Sequence, residues 1–116
     1  MMEFLRSRKP GEVATVPPVV AEIEYGIRRV EADSRKRMLL ERERDRLLGI
    51  LRVLPWTPEA SILFGSLKAD LETKKKAVDD LDAIVAAIAA THQAEVITAD
   101  PGRFRGIPGV DSRHWG

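Results

Sequence analysis

A chain of 116 residues has the length of one ordinary domain, and 44% hydrophobic with 32% charged residues supplies a core without the composition of a disordered chain. The formal net charge of +1 excludes a general attraction to polyanions, and the lack of cysteine excludes a disulfide scaffold, thiol catalysis and cysteine-bound zinc. The longest nearly uncharged apolar run, Ala83 to Ala90, is far short of the roughly 20 residues that cross a bilayer, and the first residues lack the order of a signal peptide. A membrane role is not expected, and the cytoplasm is the expected compartment.

The segment Glu12 to Val16 is rich in β-branched residues and stops at Pro17-Pro18, where a strand loses its donors. A short buried strand is expected there. Val19, Val20, Ile23 and Ile27 then recur at helical spacing and predict a helix from Pro18 to about Val30. A second amphipathic helix is predicted from Ser34 to Leu51, with Leu39, Leu40, Leu47, Leu48 and Leu51 as its apolar seam. Leu51 to Trp56 reads as a strand ended by Pro55. Thr57-Pro58-Glu59 reads as a capped helix start, and that helix runs to about Thr73.

From Asp80 to Thr91 the sequence carries eight consecutive Ala, Ile or Val residues, which a helix tolerates only when it is buried on most sides. Glu95 to Thr98 is the next expected strand, Asp100-Pro101-Gly102 a turn, and Val110 to Trp115 a last edge strand. Strands that alternate with helices predict an α/β domain over residues 1–116, with a mainly parallel sheet covered by helices on both faces.

In such sheets the functional crevice lies beyond the carboxyl ends of the strands. Glu22 stands one turn into the helix after the first strand, and Asp100 directly follows the strand ending at Thr98. Asp82 opens the buried helix, where a carboxylate facing the core needs a partner or a bound cation. Singly these are a surface glutamate, a turn-forming aspartate and an acid that favours a helix N-terminus. Together they form an oxygen-only donor set suited to Mg²⁺, or Mn²⁺ in its place, and to metal-assisted phosphodiester hydrolysis. The three carboxyl groups are therefore expected in one pocket.

The stretch Val19-Val20-Ala21-Glu22-Ile23-Glu24-Tyr25-Gly26 resembles the "hxxAElxyG" helix of PIN-domain nucleases, in particular VapC-type toxins. Asp82-Ala83-Ile84-Val85-Ala86-Ala87 resembles that family's "D-x-x-I-A-A" helix. Val96-Ile97-Thr98-Ala99-Asp100 followed by Phe104 resembles its "h-h-T-x-[DN]-x-x-x-F" strand and turn. The likeness extends from about Arg8 to Trp115. It implies that Glu22, Asp82 and Asp100 take the family's second, third and fourth acidic positions as metal ligands, with Thr98 as the hydroxyl beside them. It further implies a Mg²⁺-dependent endoribonuclease toxin, a homodimer, and a VapB-like antitoxin seated on apolar helices within Ile27 to Leu51.

The family's opening strand with its Asp-Thr-Asn motif has no counterpart, since Met1 to Arg6 resembles the helix just after it, and Glu3 is a poor substitute for the first acid. The resemblance thus implies an N-terminally incomplete PIN domain with weak or absent nuclease activity, and upstream codons that specify the strand. An alternative is a catalytically impaired PIN-fold module that keeps antitoxin binding or dimerisation. A third reading makes Ser34 to Leu51 a partner-binding helix and the acids surface residues.

Lys74-Lys75-Lys76 could steer an RNA backbone, although a solvated loop is the simpler account. Asp79 and Asp80 suit the dipole of the helix they precede. His92 and His114 have no ligand or triad spacing and read as surface residues, whereas Tyr25 and Trp56 read as core or groove aromatics. No phosphate-binding glycine loop, GxSxG or zinc spacing occurs.

Overall fold

Proline decides where the first strand ends. In the computed structural model, which describes residues 13–98 and 100–114, β1 is Ala14–Thr15 and α1 follows at Pro17–Arg28. Pro17 and Pro18 have no N–H to offer a ladder, yet both fit a first helical turn. Extended Val16 links the two elements, and its carbonyl accepts from the N–H groups of Val19 and Val20 at 3.0 and 3.2 Å. Ile27 is the buried residue of this helix.

Helix α2, Arg35–Ile50, starts at Ser34, whose Oγ accepts from the Arg37 N–H at 3.1 Å and donates to the Glu31 carbonyl at 2.7 Å. The expected leucine seam is not a core seam. No residue of α2 is buried, and Leu39 and Leu48 are exposed.

Strand β2, Arg52–Val53, lies parallel to β1 with Ala14 opposite Arg52 and Thr15 opposite Val53. Its flanking bonds run from the Arg52 N–H to the Val13 carbonyl at 3.2 Å and from the Leu54 N–H to the Thr15 carbonyl at 2.8 Å. The crossover that a parallel pair requires is supplied by α1 and α2.

Helix α3, Pro58–Thr73, has Thr57 as its cap, with Oγ1 accepting from the Ala60 N–H at 3.2 Å. It ends at Lys74, Lys75 and Lys76. Lys75 adopts φ 56°, and the N–H groups of Lys75 and Lys76 return to the carbonyls of Glu72 and Leu71 at 3.0 and 2.9 Å. The lysine run is thus a Schellman cap that satisfies the last carbonyls of the helix, with lysine where glycine is usual. Gln93 repeats the device at the end of the next helix, with φ 55° and bonds from Gln93 and Ala94 to Ala90 and Ala89.

That next helix, α4, spans Asp80–Thr91 and begins at Asp79, whose carboxylate accepts from the Leu81 N–H at 2.8 Å. Six of its residues are buried, among them Ala86, Ala87 and Ile88 with no exposure. Ile88 packs with Val16, Leu54 and Ala60, whereas Ala86, Ala87 and Ala89 pack with Leu67, Val96, Phe104 and Ile107. The helix is therefore central, as its eight-residue apolar run predicts.

Strand β3, Val96–Thr98, is followed by a 3₁₀ turn at Pro101–Phe104 and by β4, Ser112–His114. Strands β3 and β4 are parallel, with Val96 opposite Ser112 and Thr98 opposite His114. The α/β class and the parallel pairing agree with the expectation. Among the described residues, however, the strands form two separate two-stranded ladders, β1–β2 and β3–β4, instead of one continuous sheet. Glu12 and Trp115, the expected ends of the first and last strands, lie outside the described residues, as does Glu3.

Helices α1 and α2 are joined by charge. The Glu24 carboxylate accepts from Arg28 Nε at 2.7 Å and from Arg44 Nη1 at 2.6 Å. The Arg28 bond and then the Arg44 bond hold this carboxyl below the ordinary glutamate range, outweighing a small opposing effect of burial.

Ile88→Ala should lower unfolding stability by about 2–5 kcal/mol, while Ile62→Ala, 75% exposed, should stay within about 0.5 kcal/mol. Urea denaturation of both variants checks this. Because the Glu24 pKa is lowered in the folded chain, its stabilisation is complete above the ordinary glutamate range and fades as pH falls through the lowered value. Glu24→Gln should therefore be less stable than the parent at neutral pH and converge with it in acid. A pH series of urea midpoints showing a constant difference would contradict this.

Candidate active site

Asp82 sits in the first turn of α4, where the free N–H groups favour an acid, yet its side chain is only 9% exposed. A carboxylate so placed must be compensated, because burying an unpaired charge costs far more than a surface pair returns. The compensation is Arg103. Its Nε donates to Asp82 Oδ2 at 3.1 Å and its Nη2 to Asp82 Oδ1 at 2.5 Å, so both carboxylate oxygens are engaged by one planar guanidinium. Arg103 belongs to the 3₁₀ turn, which is anchored against the core by buried Phe104.

A cleft of about 440 Å³ opens beside this pair, lined by Lys76, Val78, Asp79, Asp82, Gly102 and Arg103 among others. The neighbouring acids have other duties. Asp79 caps α4, as expected of an acid ahead of a helix, and Asp80 pairs with Lys68 Nζ at 3.2 Å.

Thr98 ends β3 half-buried, and its Oγ1 accepts from the Asp100 N–H at 3.2 Å, which ties the hydroxyl and the acid into one local turn. Asp100 is exposed at the start of the 3₁₀ turn. A side chain at Gly102 would place its Cβ 3.2 Å from Asp100 Oδ1, so glycine there leaves room for the carboxylate. Glu22 is exposed on α1.

Asp82 is thus brought to the turn that follows Asp100. Among the described residues, no three Asp, Glu, His or Cys side chains stand together as a group able to hold a metal ion, so Glu22, Asp82 and Asp100 do not form a closed triad in this arrangement. The donor set itself, carboxylates with a threonine hydroxyl, suits a hard divalent cation. What stands against immediate ligation is the guanidinium on both oxygens of Asp82.

Sequence reasoning missed Arg103. The requirement that Asp82 have a partner was the available signal, and Arg103 is the basic residue beside the aromatic of the turn motif. Of the two readings of Tyr25 and Trp56, as core or as groove aromatics, the core reading needs correction. Tyr25 is 60% exposed with the Arg29 guanidinium 5.5 Å from its ring centroid, and Trp56 is exposed as well. His92 stays near the surface, its Nε2 lying 3.3 Å from the Pro55 carbonyl oxygen.

The sequence profile of the family described as PIN domain matches residues 2–110. The chain belongs to the PIN-domain family. Its PIN sequence is 24% identical over 107 residues to Ribonuclease VapC2 of Rickettsia felis, covering 92% of this chain and 77% of that protein. It is 32% identical over 87 residues to VapC ribonuclease Y4jK of Sinorhizobium fredii, covering 73% and 62%. Its PIN fold superposes on the crystal structure of VapBC2 from Rickettsia felis bound to a promoter DNA fragment with a TM-score of 0.82. That match has 23% identity and covers 99% of this chain and 82% of the other, a likeness of fold.

Proposed function

We propose that this PIN domain is a Mg²⁺-dependent endoribonuclease of the VapC kind, the toxin of a toxin–antitoxin pair. The observation that carries the reading is Asp82, a nearly buried carboxylate at the head of the central helix and at the wall of a cleft, in a family whose similar members are named VapC ribonucleases. Glu22, Asp82 and Asp100, with the Thr98 hydroxyl, are the residues that would hold Mg²⁺, or Mn²⁺ in its place. The ion supplies a Lewis acid for the phosphate and a more acidic water. The chain's own part is to fix the acids: α4 holds Asp82 rigidly, and the Thr98 to Asp100 hydrogen bond sets the course of the turn after β3.

The proposed partners are an RNA substrate, a VapB-like antitoxin and a second copy of the chain. Support for a protein partner comes from Ile23, Met38, Leu39, Leu48 and Ile50, large apolar side chains left exposed on α1 and α2. The solved relative named VapBC2 is consistent with such an assembly. A cytoplasmic place accords with the lack of cysteine, and no described helix is long and apolar enough to cross a membrane.

Asp82→Asn tests the activity, since the amide keeps the shape and removes the charge. RNA cleavage should require Mg²⁺ or Mn²⁺ and fall to background in the variant, with an unchanged circular dichroism spectrum. Cleavage that survives the substitution or a chelator removes the reading. RNA left intact by the parent chain, together with tight binding of an antitoxin, favours the catalytically impaired binding module.

A further inference from the structure

The cation that balances the Asp82 carboxylate in this structure is an arginine. Both oxygens are taken by the fork of Arg103, at 3.1 Å from Nε and 2.5 Å from Nη2. A divalent ion that takes the lone pairs facing the turn must displace the guanidinium, and one that binds beside it meets the repulsion of that positive charge.

The partners differ in freedom. Asp82 is fixed on α4, followed by buried Ala83 and preceded by the Asp79 cap, and its side chain is 9% exposed. The Arg103 side chain is 50% exposed and rises from a four-residue 3₁₀ turn. The guanidinium can therefore move into water while the carboxylate stays. Once alone, Asp82 becomes a desolvated charge that demands another counter-ion. Its surroundings thus offer two occupied states, arginine in or metal in, and penalise the empty one.

We propose that Arg103 is a resident counter-ion that competes with the divalent metal for Asp82, so that metal enters this site only as the guanidinium leaves. The proposal rests on the reading of Asp82 as a metal-binding acid. It assigns Arg103 a positioning role, namely control of when the acid is available, without contact with the reacting atoms.

Mn²⁺ alone is the probe, followed by the electron paramagnetic resonance of the free ion and by thermal unfolding with and without chelator. Four proteins are compared: the parent, Arg103→Gln, Arg103→Lys and Asp82→Asn. Arg103→Gln should bind Mn²⁺ about tenfold or more tightly than the parent, in the range that neighbours of metal ligands command. It should also show a larger rise in unfolding temperature on adding Mn²⁺, because its metal-free form keeps an unpaired buried carboxylate. Arg103→Lys, which keeps the charge but loses the fork, should fall between, and it carries the test if Arg103→Gln does not fold without metal. Asp82→Asn should lose the binding that the Arg103 variants gain.

Equal Mn²⁺ affinity in the parent and both Arg103 variants, lost in Asp82→Asn, would overturn the competition and leave the metal reading intact. Mn²⁺ binding that is absent throughout, or indifferent to Asp82→Asn, would overturn both.

Discussion

The structure depends on one constraint: α4 is enclosed on most of its surface. Its run of Ala, Ile and Val has no polar face to give to water, so the rest of the chain must cover it. Two groups of residues do so. Val16, Leu54 and Ala60 gather at Ile88, and Leu67, Val96, Phe104 and Ile107 gather at Ala86, Ala87 and Ala89. Alanine matters here because its small side chain lets α3 approach the α4 backbone closely. The same enclosure explains Asp82, since the first turn of a buried helix inherits its dry surroundings and makes any acid there dependent on a counter-charge.

Much of the fold was legible because its boundaries are chemical events. Ser34 and Thr57 cap the helices they were expected to start, Asp79 caps the helix it was expected to precede, Pro58 stands at a first helical position as expected, and the first helix begins at Pro17, one residue before the expected Pro18. The central place of α4 followed from its lack of any polar stripe. Less legible was the burial of amphipathic segments. The leucines of α2 repeat as a core seam would, yet periodicity reveals only that a face is apolar, and the described fold leaves Leu39 and Leu48 in solvent. The lysine run was opaque for another reason: a left-handed C-cap is normally signalled by glycine, and Lys75 holds that conformation without it.

The site divides along the same line. That Asp82 would be buried and need compensation was readable from its place at the head of an apolar helix. That Arg103 would provide it was not, because the two are 21 positions apart and meet only once the 3₁₀ turn packs through Phe104. Thr98 and Asp100 were found as neighbours because they are neighbours in sequence. The single parallel sheet was an inference from alternation of elements. Alternation constrains the direction of pairing, which is parallel in both ladders, and leaves open how many strands join.

The β1–β2 ladder has a consequence for how the chain assembles. Among the described residues it pairs Ala14 with Arg52 and Thr15 with Val53, yet it closes a loop that contains two whole helices. Loop-closure entropy must be met before so few ladder bonds can return anything. The short connection between α3 and α4, tightened by the Lys75 cap, poses no such barrier, and these helices share the most extensive contact among the described elements. Their docking carries the smaller loop-closure cost and presents the surface, with Ile88 and Ala60 on it, against which Val16 and Leu54 pack. The described ladder is in this sense held by the side-chain burial of Val16 and Leu54 more than by its own few hydrogen bonds.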